Sequence, residues 1–135
     1  MYIDSNIFIY AAVDTNKTGK HCRTIIQKIS DKQCTVAASY LILDEVLWIL
    51  KKQVGKDNAI KITKAMLSLP IKWIEVDSSV IFTMVDIFEK TALDPRDALH
   101  IASMKKSGIS SILSEDTDFN NIEGITRISV SQFLQ

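Results

Sequence analysis

The chain has 135 residues, of which 47% are apolar and 24% charged, with 16 basic residues balancing 16 acidic ones. This length fits one domain over residues 1–135 with a three-layer core, and the composition is typical of a soluble globular protein. No apolar run reaches the roughly 18 residues of a membrane span, and Cys22 and Cys34 form no metal or redox motif. These features predict a cytoplasmic protein with no membrane association, in which both thiols are reduced and buried.

Five short runs rich in Ile, Val and Thr predict strands near residues 1–4, 34–37, 72–76, 110–113 and 126–130. Segments with helical periodicity fill the intervals. A short turn is expected after Asn6, followed by helices at about 18–30, 40–53, 57 or 58 to 69, 77 or 78 onward, and 95–108. This alternation argues for a parallel sheet covered by helices on both faces, which is an α/β fold.

Four acidic residues stand near the ends of these elements. Asp4 ends the first strand, Glu45 and Asp97 lie in early turns of their helices, and Asp116 follows the fourth strand. In open α/β sheets, sites form outside the carboxyl ends of the strands, so all four acids could face one rim. Carboxylates gathered in one cleft repel one another unless a cation neutralises them, and hard divalent cations prefer oxygen ligands. The set predicts a metal site suited to phosphodiester chemistry.

Each acid also has a simpler explanation. Asp4 could cap the helix that follows it, and Asp97 occupies the N3 position that a capping box fills with an acid. Asp116 and Asp118 could form an Asx-turn. The joint occurrence favours the metal site, because four separate caps at four matching places require more coincidence than one shared ligand set.

Glu45 is the hardest acid to explain without a site, because its helix is apolar on most sides. A carboxylate buried without a partner costs several kcal/mol, so the acid that points inward needs a cation or a donor. Asp44 and Glu45 differ by about 100° around the helix. We expect Asp44 to face solvent and Glu45 to face inward, with the reverse assignment as the alternative.

Smaller polar residues near these acids also have both a structural and a functional explanation. Ser5 could hydrogen-bond a carboxylate or a water of the site, and Asn6 is predicted to be structural. His100, one turn after Asp97, is expected to be packed or solvated, with substrate contact as the alternative. Arg96 is expected in a surface salt bridge, with phosphate contact as the alternative.

Basic and aromatic residues complete the candidates. Trp48 and Trp73, at apolar positions, are expected in the core or a dimer interface. The basic residues gather in two stretches, with Lys17, Lys20, His21 and Arg23 in one and Lys51, Lys52, Lys56, Lys61 and Lys64 in the other. Each is best explained as a solvated helix face, but basic residues that flank the acidic cleft could hold phosphates beside the metal.

Four segments together resemble the PIN-domain family, and within it the VapC-type toxins of toxin–antitoxin pairs. They are IDSNIFIY with Asp4, LDEVLW with Glu45, RDALHIA with Asp97, and LSEDTDF with Asp116 and Asp118. No single segment is decisive, but the four in this order span nearly the whole chain. The resemblance implies a PIN-like α/β/α sandwich with a mostly parallel sheet, and Mg²⁺ or Mn²⁺ in the acidic cleft. It further implies endoribonuclease activity on structured RNA, a homodimer, and a small antitoxin whose C-terminal part enters the cleft.

The implied mechanism uses one or two metal ions held by Asp4, Asp97 and Asp116, with Glu45 helping directly or through water. The metal would activate water in line with the scissile phosphate and stabilise the charge of the transition state. Asp116 or Asp118 is the fourth ligand, and the alignment favours Asp116. Glu115 departs from the family pattern, where a basic residue often stands, and would add negative charge to the rim.

Other functions fit less well. An Asp-nucleophile phosphatase would need a second acid where Asn6 stands, and a phosphoacceptor receiver domain would need a lysine at a late strand. A non-catalytic RNA-binding or scaffold module with a PIN-like fold is the main alternative, and a free-standing RNA-processing nuclease is another. Buried acids argue against the scaffold, because a degenerate module has no reason to keep them.

Overall fold

The computed structural model of the chain describes residues 1–135 and contains a five-stranded sheet and seven α-helices. The strands are β1 (Tyr2–Ile3), β2 (Ala37–Ser39), β3 (Lys72–Ile74), β4 (Ser111–Leu113) and β5 (Thr126–Ile128). The helices are α1 (Ser5–Val13), α2 (Lys17–Ser30), α3 (Leu41–Val54), α4 (Lys56–Leu67), α5 (Ser78–Lys90), α6 (Pro95–Lys106) and α7 (Val130–Phe133). A 3₁₀ helix at Thr117–Asn121 lies between β4 and β5.

The sheet has the strand order β3-β2-β1-β4-β5, and every neighbouring pair is parallel. Successive strand residues point to opposite faces, so each strand contributes to two cores. Ile3 and Leu113 pack with α1 to α4 and α7 on one face, whereas Tyr2 and Ile112 pack with α5 and α6 on the other. This arrangement confirms the predicted α/β/α sandwich.

Three predicted elements were misplaced. Strand β2 begins three residues and ends two residues later than expected, since its Ala-Ala-Ser sequence has little strand propensity and is fixed by pairing with β1 and β3. Helix α1 is nine residues long rather than a short turn, because its residues are apolar on most sides and give no amphipathic signal. The last strand stops at Ile128, where Ser129 and Gln132 form a capping box that starts α7.

Helix α3 passes into α4 at a single glycine. Gly55 ends α3 with φ = 84°, a backbone conformation that glycine adopts without strain, and α4 begins at once. Both cysteines are free, as predicted, but only Cys22 is buried and Cys34 is half-buried. None of the helices combines the length and apolar character that crossing a bilayer requires.

Candidate metal centre

Asp4 leaves the sheet at the carboxyl end of β1 and begins α1, yet its side chain makes no cap hydrogen bond to that helix. Instead its carboxylate accepts hydrogen bonds from Asn6 Nδ2 at 2.7 Å, Ser114 Oγ at 2.5 Å and Ser5 Oγ at 3.3 Å. Ser114 lies there because β1 and β4 are parallel neighbours, which places the residues that follow them side by side. Three neutral donors therefore hold Asp4 at the rim, and Asn6 has the structural role predicted for it.

Glu45 points into the protein from α3 and is only 6% exposed, whereas Asp44 is exposed and faces Arg96 at 3.5 Å. The orientation predicted for these two acids and the surface salt bridge predicted for Arg96 are thus both observed. Glu45 Oε2 lies 3.2 Å from His100 Nε2, and the same nitrogen lies 3.9 Å from Asp4 Oδ1. His100 is packed, as expected, but it is packed between two of the predicted site acids.

His100 is held from its other side by Tyr2. His100 Nδ1 lies 2.8 Å from the Tyr2 hydroxyl, which donates to Ser39 Oγ at 2.9 Å and accepts from the Ser39 backbone N–H at 3.1 Å. This contact fixes the ring so that Nε2 faces the carboxylates.

The charges of this buried group support one another. Burial works to lower the pKa of His100, but the Tyr2 oxygen and the carboxylates of Glu45 and Asp4 raise it well above its usual range. Burial works to raise the pKa of Glu45, but the hydrogen bond and charge of His100, helped by Ser5 and Arg96, lower it. Both directions favour a charged pair, in which His100 offsets part of the negative charge of the site.

Asp97 is half-buried in the first turn of α6, and no side-chain cap hydrogen bond forms at that helix start. No protein donor contacts its carboxylate, so the capping explanation does not apply. Burial raises the pKa of Asp97 to about 6; the His100 charge opposes this rise, and the carboxylates of Asp116, Asp4 and Glu45 add to it. This acid lacks the hydrogen-bonding partners that Asp4 has.

Asp116 caps the 3₁₀ helix, and its carboxylate accepts the backbone N–H of Asp118 at 2.9 Å. The predicted Asx-turn is therefore present. It leaves the second carboxylate oxygen free, and one oxygen each of Asp97, Asp116 and Asp118 lie within 4.8 Å of one another. The geometry accommodates either Asp116 or Asp118 as a ligand, since both lie at this distance from Asp97.

Glu115 has a structural contact of its own. Its carboxylate accepts the Val130 backbone N–H at 2.7 Å, so it serves the start of α7. It is not among the acids whose ligand atoms lie within 4.8 Å of one another, and its expected effect on the charge of the rim stays a prediction.

The acids therefore form two adjoining groups. Asp4, Glu45 and His100 have ligand atoms within 4.8 Å of one another, and so do Asp97, Asp116 and Asp118. The influence of Asp4 and Glu45 on the pKa of Asp97 shows that the groups share one electrostatic environment. All four acids predicted from the sequence, with Ser5 and Asp118, are brought to one rim.

Sequence reasoning undervalued the polar residues around these acids. The spacing of three residues between Asp97 and His100 places both on one helix face, and this signal could have identified His100. Ser114 could have been found from its position at a strand end beside Asp4. Tyr2 and Ser39 carry no such signal, because only the packing of α6 on the sheet brings them to His100.

The donor set fits a hard divalent cation. Its oxygen donors are carboxylates, and Asp97, without a protein donor, has a pKa that neighbouring negative charges help to raise to about 6. A cation bound here would relieve that repulsion. His100 is the only nitrogen ligand available, and its nitrogen is already engaged with Glu45.

Comparison with known proteins gives the chain a family. The PIN domain model matches residues 1–125. No curated protein sequence matches the chain significantly.

Several solved structures share the fold. VapBC2 from Rickettsia felis, bound to promoter DNA, is 15% identical, with a TM-score of 0.72 over 95% of this chain and 96% of that one. VapC20 from Mycobacterium tuberculosis, described as a sarcin-ricin loop cleaving toxin, is 17% identical, with a TM-score of 0.72 over 88% and 92%. DNA-bound VapBC from Salmonella typhimurium is 15% identical, with a TM-score of 0.73 over 96% of both chains. The chain belongs to the PIN-domain family.

Proposed function

We propose that residues 1–135 act as a single PIN nuclease domain, a cytoplasmic endoribonuclease that depends on Mg²⁺ or Mn²⁺. One observation carries this proposal: acids from four separate elements converge on one rim of the sheet, and Asp97 among them has no protein partner. A scaffold would gain nothing from keeping such an acid half-buried. The metal-dependent nuclease is therefore favoured over the non-catalytic module.

Asp4, Asp97 and Asp116 are the residues proposed to hold the metal, with Glu45 assisting and Asp118 as the alternative to Asp116. A divalent ion bound there supplies Lewis-acid stabilisation of the phosphate and lowers the pKa of water. The protein's own part is to position the ligands. Ser114, Asn6 and Ser5 orient Asp4, as outer hydrogen bonds commonly do for metal ligands.

The protonation of Asp97 belongs to the same mechanism. Because burial and the neighbouring carboxylates raise the pKa of Asp97 to about 6, protons would compete with a cation for its carboxylate. His100 holds Glu45 through the 3.2 Å contact and so fixes the position of its carboxylate. These residues prepare the site before RNA arrives.

The biological setting proposed is that of the toxin in a type II toxin–antitoxin pair. The support is the shared fold with VapC-containing structures, including one described as a toxin that cleaves the sarcin-ricin loop. A groove of about 490 Å³ between α1, α2 and α4 is a candidate surface for part of a small antitoxin. It is lined mainly by apolar side chains, among them Phe8, Ile26, Ile62, Met66 and Leu69.

A homodimer is the proposed assembly. Helix α5 exposes a row of large apolar side chains, consisting of Ile81, Phe82, Val85 and Phe88, with Phe82 75% exposed. Contiguous exposed apolar patches of this kind commonly mark protein interfaces. Their removal from water in a dimer would explain why the chain keeps them.

The test is cleavage of total cellular RNA by the purified protein in Mg²⁺, in Mn²⁺ or in chelator, beside an Asp97→Asn protein prepared identically. We expect discrete, metal-dependent fragments from the native protein and at least about a hundred-fold less cleavage from the variant, because electrostatic stabilisation of the transition state depends on this ligand set. Equal cleavage by both proteins would indicate contamination and refute the site.

If neither protein cleaved RNA, the melting temperatures of both would be measured with and without Mn²⁺. A ligand that binds only the folded state raises the melting temperature, so a shift that Asp97→Asn abolishes would keep the metal centre and point to a selective substrate. No shift in either protein would favour the metal-free RNA-binding or scaffold module. A free-standing processing nuclease would be indicated if one RNA precursor alone were cut.

A further inference from the structure

The outward face of α3, beyond the acidic centre, carries an exposed tryptophan among lysines. Trp48 is 54% exposed, although Trp is usually largely buried. Lys51 and Lys52 lie one turn further along the same helix, and Lys56 begins α4. Trp48 therefore does not pack in the core, and its other expected place, a dimer interface, stays a prediction. We call Trp48, Lys51, Lys52, Lys56 and Arg96 the tryptophan surface.

This surface is continuous with the metal centre. Glu45, Trp48 and Lys52 are spaced three and four residues apart, so they follow one another along the same edge of α3. On the outer side, Asp44 contacts Arg96 of α6 at 3.5 Å, and Arg96 directly precedes Asp97. The surface therefore begins at the rim where two of the proposed ligands stand.

A groove of about 360 Å³ between α3 and α4 opens beside the tryptophan. Leu47, Trp48, Ala59 and Ile60 form its apolar lining, and Lys51, Lys56 and Asp44 provide its polar part. The Lys52 ammonium lies 4.2 Å from the centroid of the Trp48 ring, and Lys52 does not line the groove. This cation–π contact orients the indole and leaves it open towards the groove.

The charge of the surface is strongly positive for a chain whose basic and acidic residues balance. Arg96, Lys51, Lys52 and Lys56 supply four positive charges, against Asp44, which pairs with Arg96, and Asp57, which follows Lys56. Grooves that combine basic side chains with an open aromatic ring are suited to single-stranded nucleic acid, since phosphates meet the cations and a base stacks on the ring. A second copy of the chain would bring the same four charges and be repelled.

We propose that the tryptophan surface binds a single-stranded stretch of RNA adjoining the scissile phosphate, with one base stacked on Trp48. This inference rests on the proposed function and deepens it by defining the substrate. The RNA must be unpaired beside the cleavage point, because a paired base keeps its face within the helix and offers it to no side chain. Lys51 and Lys56 contact the backbone phosphates on either side of that base.

Binding is measured by fluorescence anisotropy of labelled oligouridine over a range of salt concentrations, with Ca²⁺ present as an oxygen-binding cation. Each phosphate contact on a single strand contributes about −0.7 to the slope of log binding constant against log salt. The double variant Lys51→Gln/Lys56→Gln should therefore reduce the slope by about 1.4. The matched control Lys32→Gln/Lys61→Gln removes the same charge elsewhere, since Lys61 lies about 140° around α4 from Lys56, and should leave the slope unchanged.

Trp48 is tested by substitution and by fluorescence. Trp48→Leu should weaken binding about ten-fold while Trp48→Phe retains most of it, because stacking requires an aromatic ring. In a Trp73→Phe protein, oligouridine should quench the emission of the remaining tryptophan. Equal slopes in the two lysine variants, unchanged affinity in Trp48→Leu, or no binding by the native protein would each overturn the inference. If Trp48→Leu converted a dimer to a monomer, the inference would also be overturned, because the tryptophan surface would then be a contact between two copies of the chain.

Hydrolysis of bis(para-nitrophenyl) phosphate in Mn²⁺ separates this inference from the proposed function, because that small diester needs the metal centre and no RNA surface. The Trp48 and lysine variants should hydrolyse it at the native rate. Absence of hydrolysis by the native protein, together with absence of any Mn²⁺-dependent melting shift and with intact oligouridine binding, would refute the nuclease while keeping the binding surface. Native hydrolysis without oligouridine binding would refute the surface alone.

Discussion

The acidic centre has two halves, which differ in how their negative charge is offset. One half is Asp4, Glu45 and His100, and the other is Asp97, Asp116 and Asp118. Asp4 and Glu45 are buried, and the protein itself supplies their partners in Ser114, Asn6 and His100. Asp97 is half-buried without a protein donor, and neighbouring acids help to raise its pKa to about 6. One half is thus organised by the fold, whereas Asp97 in the other half has no such partner. Substitutions should therefore affect folding in the first half and metal binding in the second.

The largest expected effect is a loss of stability when the half organised by the fold is altered. His100→Ala should lower the free energy of unfolding by about 3–5 kcal/mol, because removing one partner leaves buried carboxylates without a counter-charge. The raised pKa of His100 means that its contribution is fully present below about pH 6.5, the value of an unfolded histidine, and is lost as the pH rises through the folded value. Urea denaturation at pH 6 is the suitable measurement.

The double variant His100→Ala/Glu45→Gln provides the control for that prediction. It should be less destabilised than the sum of its single changes, because Glu45→Gln removes the charge that His100 offsets. Additive losses would mean that His100 stabilises the fold only by filling space, and the contrast between the two halves would then fail.

The second effect concerns the half that is proposed to bind a cation. The apparent affinity for Mn²⁺ should fall about ten-fold for each pH unit below 6, because protons compete with the metal for Asp97. Above pH 6 the carboxylate is ionised and the dependence should flatten. Calorimetric titration with Mn²⁺ at several pH values measures this dependence of affinity on pH. A ten-fold fall that begins only near pH 4, the usual range of an aspartate, would contradict the pKa assigned to Asp97.

The smallest effect again lies in the organised half. Ser114→Ala should reduce the free energy of unfolding by about 1–2 kcal/mol, because the Asp4 carboxylate loses a short hydrogen bond in a buried place. Ser110→Ala, at an exposed position just before β4, is the matched control and should change stability by less than about 0.5 kcal/mol. The stability of both variants is measured by thermal unfolding without metal. Equal changes in the melting temperature would argue that Asp4 does not need the hydrogen bond from Ser114.

Much of the fold was accessible from the sequence, because strand and helix signals alternate and the βαβ order permits few arrangements. The α/β/α sandwich and the inward orientation of Glu45 follow from local patterns of this kind. Strand β2 was misplaced because its Ala-Ala-Ser sequence carries no signal of its own. Helix α1 was shortened for a related reason, since a helix buried on most sides lacks the one-sided pattern that identifies helices.

The sequence by itself determined which acids stand at the ends of the elements, and the rule that sites form at the carboxyl ends of parallel strands gathered them at one rim. Only the tertiary structure divided those acids into two groups. The partners that make this division come from distant positions: Ser114 reaches Asp4 through strand pairing, and His100 reaches Tyr2 and Glu45 through the packing of α6 on the sheet. Such contacts depend on distances between elements, which local patterns of residues do not encode.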